Sequence, residues 1–339
     1  MKEYRIAIVG ATGLVGRKVI NVIEERNIPV GYCKLFASQK SAGQILKVFD
    51  KEYVVEELKE DSFDEGFDFA IFSAGGDVSK KYVPIAVSKG CIVVDNSSAF
   101  RMDDEVPLVV PEVNPEDISW NKGIIANPNC STIQAMLPLK VLDEKYGIKR
   151  VVYSTYQAVS GAGKKGIEDL NNKGGETLKK FPHPILNNCL PQIDVFMDNG
   201  YTKEEMKMIN ETRKILHKPE LNVTATTVRV PVINSHSESI NIELEKDFDI
   251  NELRAELEKM ENLIVVDNPE LCMYPMAINA SEHDEVFVGR IRRDYSVKYG
   301  INMWVVADNI RKGAATNAVQ IVQKLINTFS TFRDSSKKC

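Results

Sequence analysis

One cysteine of the chain stands where a helix is expected to begin. The stretch Asn127-Pro128-Asn129-Cys130-Ser131-Thr132 precedes the apolar-rich run 133–137, and Ser131 and Thr132 suit an N-cap or a first turn. A thiol at a helix N-terminus meets the positive end of the helix dipole, which favours the thiolate. The pattern therefore predicts a nucleophile at Cys130. From the residue alone, the alternative is a small buried hydrophobic side chain, as most cysteines are.

Length and charge limit the class of protein. With 339 residues the chain is long enough for about two domains. Its 43% hydrophobic and 27% charged residues are ordinary for a soluble globular protein, and the net charge of -5 gives no basic surface for nucleic acid. No apolar run is long enough to span a bilayer, and the first residues lead directly into a strand. Neither a membrane anchor nor a signal peptide is expected.

The six cysteines are scattered, at positions 33, 91, 130, 189, 272 and 339, without CxxC pairs. That spacing is typical neither of a zinc site nor of a disulfide framework. We therefore expect no metal and a reducing cytoplasm. Cys339 ends a polar tail, 334–338, that is expected to be frayed.

The chain opens with a nucleotide-binding pattern. A β-branched run at 5–9 is typical of a buried parallel strand, and an amphipathic helix is predicted for 17–25. Between them lies Gly10-Ala11-Thr12-Gly13-Leu14-Val15-Gly16, spaced GxxGxxG rather than GxGxxG. Glycines let a pyrophosphate approach the backbone, and the helix N-terminus offers it free N–H groups. The expected cofactor contacts are Gly10, Thr12, Gly13, Leu14 and Val15. A purely structural glycine turn is the alternative.

The loop after the second predicted strand, 33–37, indicates which dinucleotide binds. An acidic residue there would bind a ribose 2′-hydroxyl, but the segment 38–43 contains no Asp or Glu. Ser38, Lys40 and Ser41 instead suit a 2′-phosphate, which favours NADP over NAD. A plain polar loop is the alternative.

The alternation of strands and helices continues to about residue 100. Strands are predicted at 67–74 and 91–95, with a helix at 78–89 between them. Since ligands of open α/β sheets bind at the carboxyl ends of strands, the following polar residues are placed for cofactor or substrate: Ser73, Gly75, Asn96 and Arg101. Arg101 in its serine-rich loop suits an anion, and the alternative is a surface ion pair.

The second half has longer strand-like runs and fewer βα alternations, which predicts an α+β domain on a mixed sheet. Strands are predicted at 150–159, 221–232, 237–244, 286–292 and 301–307, with helices from 167, at 202–217, 250–261 and 316–329. A capping box, Thr202 to Glu205, begins the second of these helices. Residues 171–194 are rich in Asn, Pro and Gly, which predicts an irregular segment. The last helix is expected to pack on the nucleotide domain.

Several motifs together resemble the aspartate-semialdehyde dehydrogenase family, in family order over nearly the whole length. Besides the segments 10–16 and 127–132 they are 97–101, 156–163, 204–207, 229–231 and 236–237. The resemblance implies an α/β fold, with an N-terminal Rossmann-type NADP-binding domain (1–129 plus 314–339) and an α+β catalytic and dimerisation domain with a mixed sheet (130–313). It implies NADPH-dependent reductive dephosphorylation of β-aspartyl phosphate to aspartate β-semialdehyde. That step supplies lysine, threonine and methionine synthesis, and diaminopimelate in bacteria.

The resemblance also implies roles for the catalytic residues. Cys130 would form the thioester and release phosphate, and His236 would be the general acid and base, with proton transfer near neutral pH. Gln157 would orient the acyl group by hydrogen bonds. From the residues alone, His183 and His217 are rivals to His236, although their flanking prolines suit a loop and a helix end.

Substrate and cofactor contacts follow from the same motifs. Arg229 would bind the substrate carboxylate, Arg101 and Lys207 the phosphate, and Glu204 the ammonium, with Asn129 also in the substrate site. Glu204 and Lys207 are three residues apart and share a helix face, so an ordinary solvated pair is the alternative. For Arg229 the alternative is an ion pair at the edge of the core. Ser160, Gly161 and Asn309 would contact the cofactor. Many relatives carry Arg where this chain has Lys40, which leaves the strictness of NADP preference open.

The resemblance implies a small-molecule substrate, inorganic phosphate, and a homodimer or homotetramer formed through the second domain, without nucleic acid or membrane. The runner-up enzyme is N-acetyl-γ-glutamyl-phosphate reductase, whose acylated substrate carries no ammonium for Glu204. A second hypothesis is a non-enzymatic NADP-binding redox sensor that uses Cys130 as its switch. A purely structural oligomer subunit is the third.

Overall fold

The structure is a computed structural model that describes residues 2–172 and 177–336, with side chains described through residue 328. The chain divides into two compact units, residues 1–128 with 314–339, and residues 129–313. In chain order the elements of the first unit's N-terminal part are β1 Tyr4–Val9, α1 Leu14–Glu25, β2 Val30–Ala37, β3 Ile45–Val48, β4 Lys51–Val54, β5 Glu56–Glu57, β6 Phe69–Phe72, α2 Gly76–Ser88, β7 Ile92–Asp95 and β8 Ile124–Ala126. Then follow α3 Cys130–Tyr146, β9 Ile148–Gln157, α4 Lys164–Asn171, α5 Lys203–Ile215, β10 Asn222–Arg229, β11 His236–Leu244, α6 Ile250–Leu257, β12 Leu263–Val265, α7 Ala277–Ala280, β13 Val286–Asp294, β14 Gly300–Ala307 and α8 Thr316–Ser336.

The first unit is built on a parallel sheet. Within the described residues its order is β5-β2-β1-β6-β7-β8, and each neighbouring pair runs parallel. Chain order reverses on either side of β1, so the crevice beyond the carboxyl ends of β1 and β6 is a topological switch point. That crevice is where ligands of open α/β sheets bind.

Alternate residues of β1 enter two separate cores, which explains why this strand is apolar throughout. Ile6 and Ile8 pack with the inward faces of α1 and α8, whereas Ala7 and Val9 join the aromatic cluster beside α2. Helix α8 therefore completes the first unit from the far end of the sequence.

The second unit carries the mixed sheet, ordered β10-β9-β11-β14-β13-β12 in the part of the chain that is described. Its central pairs are antiparallel, and the outer pairs β10–β9 and β13–β12 are parallel. Helix α3 packs against β9, β11, β13 and β14, and against α5 and α6. Because neighbours surround it, α3 is buried on nearly every side and shows little amphipathic pattern.

The predicted fold class is confirmed, and the differences concern individual elements. The hairpin β3–β4 was not predicted, because its two-residue turn, Phe49-Asp50, lacks the Asn-Gly signature although both residues have positive φ. Helix α4 begins at Lys164 rather than 167, α6 ends at Leu257, and α8 continues to Ser336.

Two expectations fall partly on residues that are not described. The described part of the irregular stretch 171–194 contains no strand of the two large sheets and no helix beyond Asn171, and residues 173–176 lie outside the description. The last residues of the tail, 337–339, also lie outside it. Among the described residues, none of the helices could cross a membrane, and no cluster of His, Cys, Asp and Glu side chains could hold a metal ion.

Candidate active site

Cys130 is the first residue of α3 and is half-buried. The N-cap is Asn129, whose Oδ1 accepts hydrogen bonds from the N–H groups of Ser131 at 3.0 Å and Thr132 at 3.3 Å. Ser131 and Thr132 thus form the first turn, and neither is the cap. A capped helix start beneath the thiol satisfies the local condition for an activated cysteine.

Glu204, on α5, is the centre of the polar contacts beside Asn129. Its Oε1 accepts from Asn129 Nδ2 at 2.9 Å and from Gln157 Nε2 at 3.1 Å, and its Oε2 accepts from Lys207 Nζ at 3.0 Å. Burial alone would raise the pKa of Glu204, but the charge of Lys207 and the hydrogen bonds from all three residues lower that pKa to about 2. The carboxylate is 7% exposed, which excludes an ordinary solvated Glu–Lys pair.

Lys207 has a second carboxylate partner that the sequence did not indicate. Its Nζ lies 2.9 Å from Asp194 Oδ2. Burial opposes the charged form of Lys207, but Glu204 and Asp194 together raise its pKa. The ammonium is therefore held in its charged form between two carboxylates, at the rim of the site.

Arg229 ends β10 and is 5% exposed. Its Nη1 donates to the carbonyl oxygen of Ala158 at 2.7 Å, and its guanidinium lies 5.9 Å from the centre of the Phe181 ring. Burial lowers the pKa of Arg229, while the charges of Glu204 and Cys130 oppose that shift. A buried guanidinium anchored to a carbonyl, rather than to a carboxylate, suits an anionic ligand more than a structural ion pair.

His236 begins β11 and is fully buried. Its Nδ1 accepts a hydrogen bond from the Ala158 N–H at 2.9 Å, and within the described residues its Nε2 has no hydrogen-bond partner. Burial and the charge of Arg229 lower the pKa of His236 to about 3, against the opposing charge of Glu204. This shift favours the neutral imidazole, and the role of His236 as general acid and base stays a prediction. The rivals His183 and His217 are exposed.

Two glycines leave room around these groups. A Cβ at Gly161 would lie 3.0 Å from Arg229 Nη1 and 3.2 Å from His236 Nε2, so both atoms border the same small space. A Cβ at Gly313 would lie 2.9 Å from Cys130 Cβ. Glycine at position 161 therefore leaves space beside Arg229 and His236, and glycine at position 313 leaves space beside Cys130.

Two of the predicted cofactor contacts of the second unit are buried in one hydrogen-bond group. Ser160 Oγ accepts from Asn309 Nδ2 at 3.0 Å and donates to Asn234 Oδ1 at 3.0 Å, while Asn309 Oδ1 accepts from the Ser235 N–H. This group fixes the short turn that carries Gly161. Gly161 is itself exposed.

In the first unit, the glycine turn fits a dinucleotide. Gly10 has φ +84°, and a Cβ on it would lie 2.8 Å from the Ser73 backbone. A Cβ on Gly16 would lie 2.2 Å from the Gly10 carbonyl oxygen, so helix α1 can approach the turn only with glycine there. Gly13 precedes α1 without any side-chain cap from the described residues, which leaves the helix N-terminus available to a phosphate. Thr12, Leu14 and Val15 are partly or fully exposed around it.

The loop after β2 carries the candidate 2′-phosphate contacts. The Ser38 carbonyl accepts from the N–H groups of Ser41 and Ala42, and this turn exposes Ser38 and Lys40 at the carboxyl end of β2. Ser73 directly follows β6, the strand that pairs with β1. Its hydroxyl group donates a hydrogen bond to the Val9 carbonyl oxygen, with an O–O distance of 3.2 Å. The residues present therefore fit a dinucleotide.

Arg101 lies in the first unit and is 7% exposed, so its side chain is buried and not at the surface. Its Nη2 donates to the Asn96 carbonyl at 2.9 Å. The Asn96 side chain in turn accepts from Asn127 Nδ2 at 2.6 Å. The predicted site residues of the second unit are brought together, and Arg101 is fixed within its own unit.

Four residues of the site were not predicted: Ala158, Asp194, Glu211 and Glu238. Glu211 Oε2 accepts from the Asn129 N–H at 2.6 Å. Glu238 is fully buried, and burial raises its pKa well above the ordinary value; the nearby Ser131 hydroxyl lowers it and the Glu204 charge raises it further. Helical spacing from Glu204 could have indicated Glu211, and strand alternation from His236 could have indicated Glu238.

Known proteins similar to this chain share both units. Residues 5–121 match the family described as semialdehyde dehydrogenase, NAD binding domain, and residues 139–312 match semialdehyde dehydrogenase, dimerisation domain. An aspartate-semialdehyde dehydrogenase of Aquifex aeolicus is 57% identical over 95% of this chain and 98% of its own length. The Bacillus subtilis enzyme of that name is 46% identical over 96% and 98% of the two chains.

Solved structures of proteins with the same name are similar to this chain over nearly its whole length. Aspartate semialdehyde dehydrogenase II from Vibrio cholerae, complexed with ASA, superposes with a TM-score of 0.93 at 44% identity, covering 96% of this chain and 99% of its own. Aspartate semialdehyde dehydrogenase with NADP from Candida albicans has a TM-score of 0.76 at 26% identity, over 96% and 98%.

Proposed function

The chain belongs to the aspartate-semialdehyde dehydrogenase family, and from that premise we propose that it carries out NADPH-dependent reductive dephosphorylation of L-4-aspartyl phosphate to L-aspartate 4-semialdehyde. The observation that carries the proposal is the convergence of Gln157, Glu204, Lys207 and Asn129 by direct hydrogen bonds at the helix start of Cys130. The anionic Glu204 suits the substrate ammonium. An acetylated amine would gain nothing from that carboxylate, which argues against the acetylglutamyl substrate.

In the first step, the Cys130 sulfur forms a bond to the acyl carbon, and the bond from that carbon to the phosphate oxygen breaks. The released phosphate takes a proton from solution and is bound by the cations Arg101 and Lys207. Arg229 holds the α-carboxylate through its planar fork. Gln157 orients the acyl group with its amide.

When bound, NADPH would supply a hydride, which carries two electrons, for the thioester carbonyl carbon. Each time that carbon becomes tetrahedral, its oxygen carries negative charge, which the Nε2–H of His236 stabilises by donating a hydrogen bond. Collapse of the reduced centre then breaks the C–S bond, releases the aldehyde and regenerates the Cys130 thiolate. Because Cys130 begins and ends the cycle as a thiolate, neither step needs a proton from its sulfur.

The first unit (1–128 with 314–339) would bind the cofactor through Gly10, Thr12, Gly13, Leu14, Val15 and Ser73, with Ser38, Lys40 and Ser41 at the 2′-phosphate. Ser160, Gly161 and Asn309 would complete the cofactor site. NADP is favoured because the loop presents a cation and hydroxyls without an acidic residue. The second unit would supply the catalytic residues and the homodimer contact. A cytoplasmic location is proposed because a catalytic thiol needs a reducing compartment.

The reverse reaction offers a direct test. NADPH formation from L-aspartate 4-semialdehyde and NADP is followed with and without inorganic phosphate, and N-acetylglutamate semialdehyde is assayed in parallel. We expect turnover only with the aspartate compound and phosphate together. Phosphate-independent oxidation, or activity on the acetylated compound alone, would overturn the proposal. In the matched Cys130→Ser variant, NADPH binding should persist while nearly all turnover is lost.

A further inference from the structure

Helix α5 presents two carboxyl groups to a single residue, Asn129. Glu204 and Glu211 are seven residues apart, which places them two turns apart on one face of the helix. Glu204 accepts from the Asn129 side-chain amide at 2.9 Å, and Glu211 accepts from the Asn129 backbone N–H at 2.6 Å. One helix thus holds both the side chain and the main chain of the residue before Cys130.

The other polar groups of Asn129 are also engaged. Its Oδ1 caps the N–H groups of Ser131 and Thr132, and its carbonyl oxygen accepts the Ile133 N–H at 2.9 Å. Asn129 is 6% exposed, so water has little access to replace a lost partner. The dihedral angles of an N-cap residue set the direction in which the first helical turn leaves it. Whatever fixes Asn129 therefore fixes where Cys130 points.

We propose that Glu211 is a positioning residue for Cys130, which fixes the Asn129 peptide through the backbone N–H and so sets the orientation of the first turn of α3. This rests on the proposed function only in taking Cys130 to be the nucleophile. Glu204 shares its oxygens with Gln157 and Lys207, so its hydrogen bond to the Asn129 side chain is one of three that it accepts. Glu211 anchors the main chain, and that contact does not depend on the Asn129 side chain.

A pair of charge-matched variants isolates the hydrogen bond. Glu211→Gln keeps an oxygen that accepts from the Asn129 N–H, whereas Glu211→Met has similar size and no strong acceptor. Both lack the charge, so electrostatic effects on the thiol cancel in the comparison. The readouts are kcat with its KM values, and the pH profile of Cys130 alkylation by iodoacetamide. Alkylation is followed by mass spectrometry of the peptide that contains Cys130, which separates it from the other cysteines.

We expect Glu211→Gln to stay close to the wild type, and Glu211→Met to lose about tenfold in kcat and in Cys130 alkylation at pH 7. In Glu211→Met the pH midpoint of Cys130 alkylation should also move to higher pH, while KM for NADPH stays unchanged. Thr212→Val is the matched control, because Thr212 is buried on the same helix and its hydroxyl pairs with Tyr153 at 2.9 Å. It should lower stability and leave the alkylation profile as in the wild type.

Three results would overturn the proposal: wild-type kcat and alkylation in Glu211→Met, equal loss in both Glu211 variants, or the same altered profile in Thr212→Val. Alkylation needs no substrate. If the wild type lacked dehydrogenase activity, the proposed function would fail, and the Gln–Met comparison would still decide the role of Glu211.

Discussion

The Ala158 N–H donates a hydrogen bond to Nδ1 of His236 at 2.9 Å. The carbonyl of the same residue accepts from Arg229 Nη1 at 2.7 Å, so the backbone of one residue orients two side chains of the site. A backbone N–H is always a donor, so Nδ1 must be the lone-pair nitrogen and the neutral ring carries its proton on Nε2. The imidazole is therefore held as a hydrogen-bond donor toward the space beside Gly161.

We predict that His236 does not titrate between pH 5 and 9 in the folded protein. Nitrogen-15 NMR of histidine-labelled protein should show a bare Nδ1 and a protonated Nε2 across that range, with His236→Asn to assign the signals. His236→Gln, which keeps a neutral N–H donor, should retain more activity than His236→Ala. An imidazolium signal with a midpoint near 6.5 would contradict the tautomer assignment.

The same depressed pKa predicts a pH dependence of stability. The folded state keeps His236 neutral down to about pH 3, whereas the unfolded chain takes up a proton near its ordinary pKa of 6.5. Stability is therefore lost as pH falls below 6.5. Between pH 7.5 and 5.5 the His236 contribution falls by about 1.4 kcal/mol. Urea unfolding of wild type and His236→Asn at both pH values measures it, and parallel pH profiles of the two proteins would refute it.

Arg229→Lys should weaken substrate binding and leave cofactor binding intact. Lysine keeps the positive charge but cannot contact two carboxylate oxygens in a plane and the Ala158 carbonyl at once. We expect KM for aspartate semialdehyde to rise by about 10- to 100-fold with KM for NADP within about twofold of the wild type. An unchanged substrate KM would remove Arg229 from the carboxylate site.

Gly313→Ala should displace the nucleophile. The added Cβ would lie 2.9 Å from Cys130 Cβ, closer than real Cβ contacts occur, so one of the two backbones must shift. A shift of this kind lowers kcat by about 100-fold, and slows Cys130 alkylation, without changing NADPH binding. Gly76→Ala is the control, since its Cβ would meet nothing within 4 Å. Normal turnover in Gly313→Ala would show that the contact is accommodated elsewhere.

Lys40→Ala tests the cofactor preference. If the exposed ammonium of Lys40 binds the 2′-phosphate, its removal should raise KM for NADPH by about tenfold and leave KM for NADH nearly unchanged. The difference should shrink at high ionic strength, because an exposed charge pair is screened. Equal effects on both cofactors would assign Lys40 to folding of the loop.

The sequence was most informative where chemistry and local structure coincide. The Cys130 helix start, the capping box at Thr202 and the glycine turn are local patterns, so each could be predicted without the fold. The role of Ala158 could not, because a backbone N–H and carbonyl leave no mark in the residue type. The role of Asp194 could not be predicted either, because it lies in a stretch without periodicity and contacts Lys207 only through tertiary packing.

The direction of the pKa shift of His236 could not be predicted from the sequence. A histidine near two charged residues could be shifted in either direction, and only burial and the proximity of Arg229 decide the sign. For Glu238, the burial itself was not predicted from the sequence. Strand alternation places it on the buried face with His236, but a carboxyl group there conflicts with the apolar pattern that predicts strands.

The Glu204 carboxylate accepts hydrogen bonds from Asn129, Gln157 and Lys207. In Glu204→Gln, one amide oxygen can still accept from Asn129 and Gln157, but the amide NH₂ would face the Lys207 ammonium, donor against donor. Lys207 should then pair with Asp194 alone, and the substrate ammonium would lose its counter-charge. We expect KM for aspartate semialdehyde to rise about 30-fold, equivalent to about 2 kcal/mol, with a smaller fall in kcat.

Glu243→Gln is the matched control for Glu204→Gln, because Glu243 lies in the same unit and pairs at the surface with Lys149. Its KM values should stay within about twofold of the wild type, as expected for an exposed ion pair. The wild type and Glu204→Gln should also be compared on the acetylated semialdehyde, which carries no ammonium. Glu204→Gln should therefore narrow the preference for the aspartate compound over the acetylated one, and an unchanged preference would show that Glu204 organises the site without selecting the substrate.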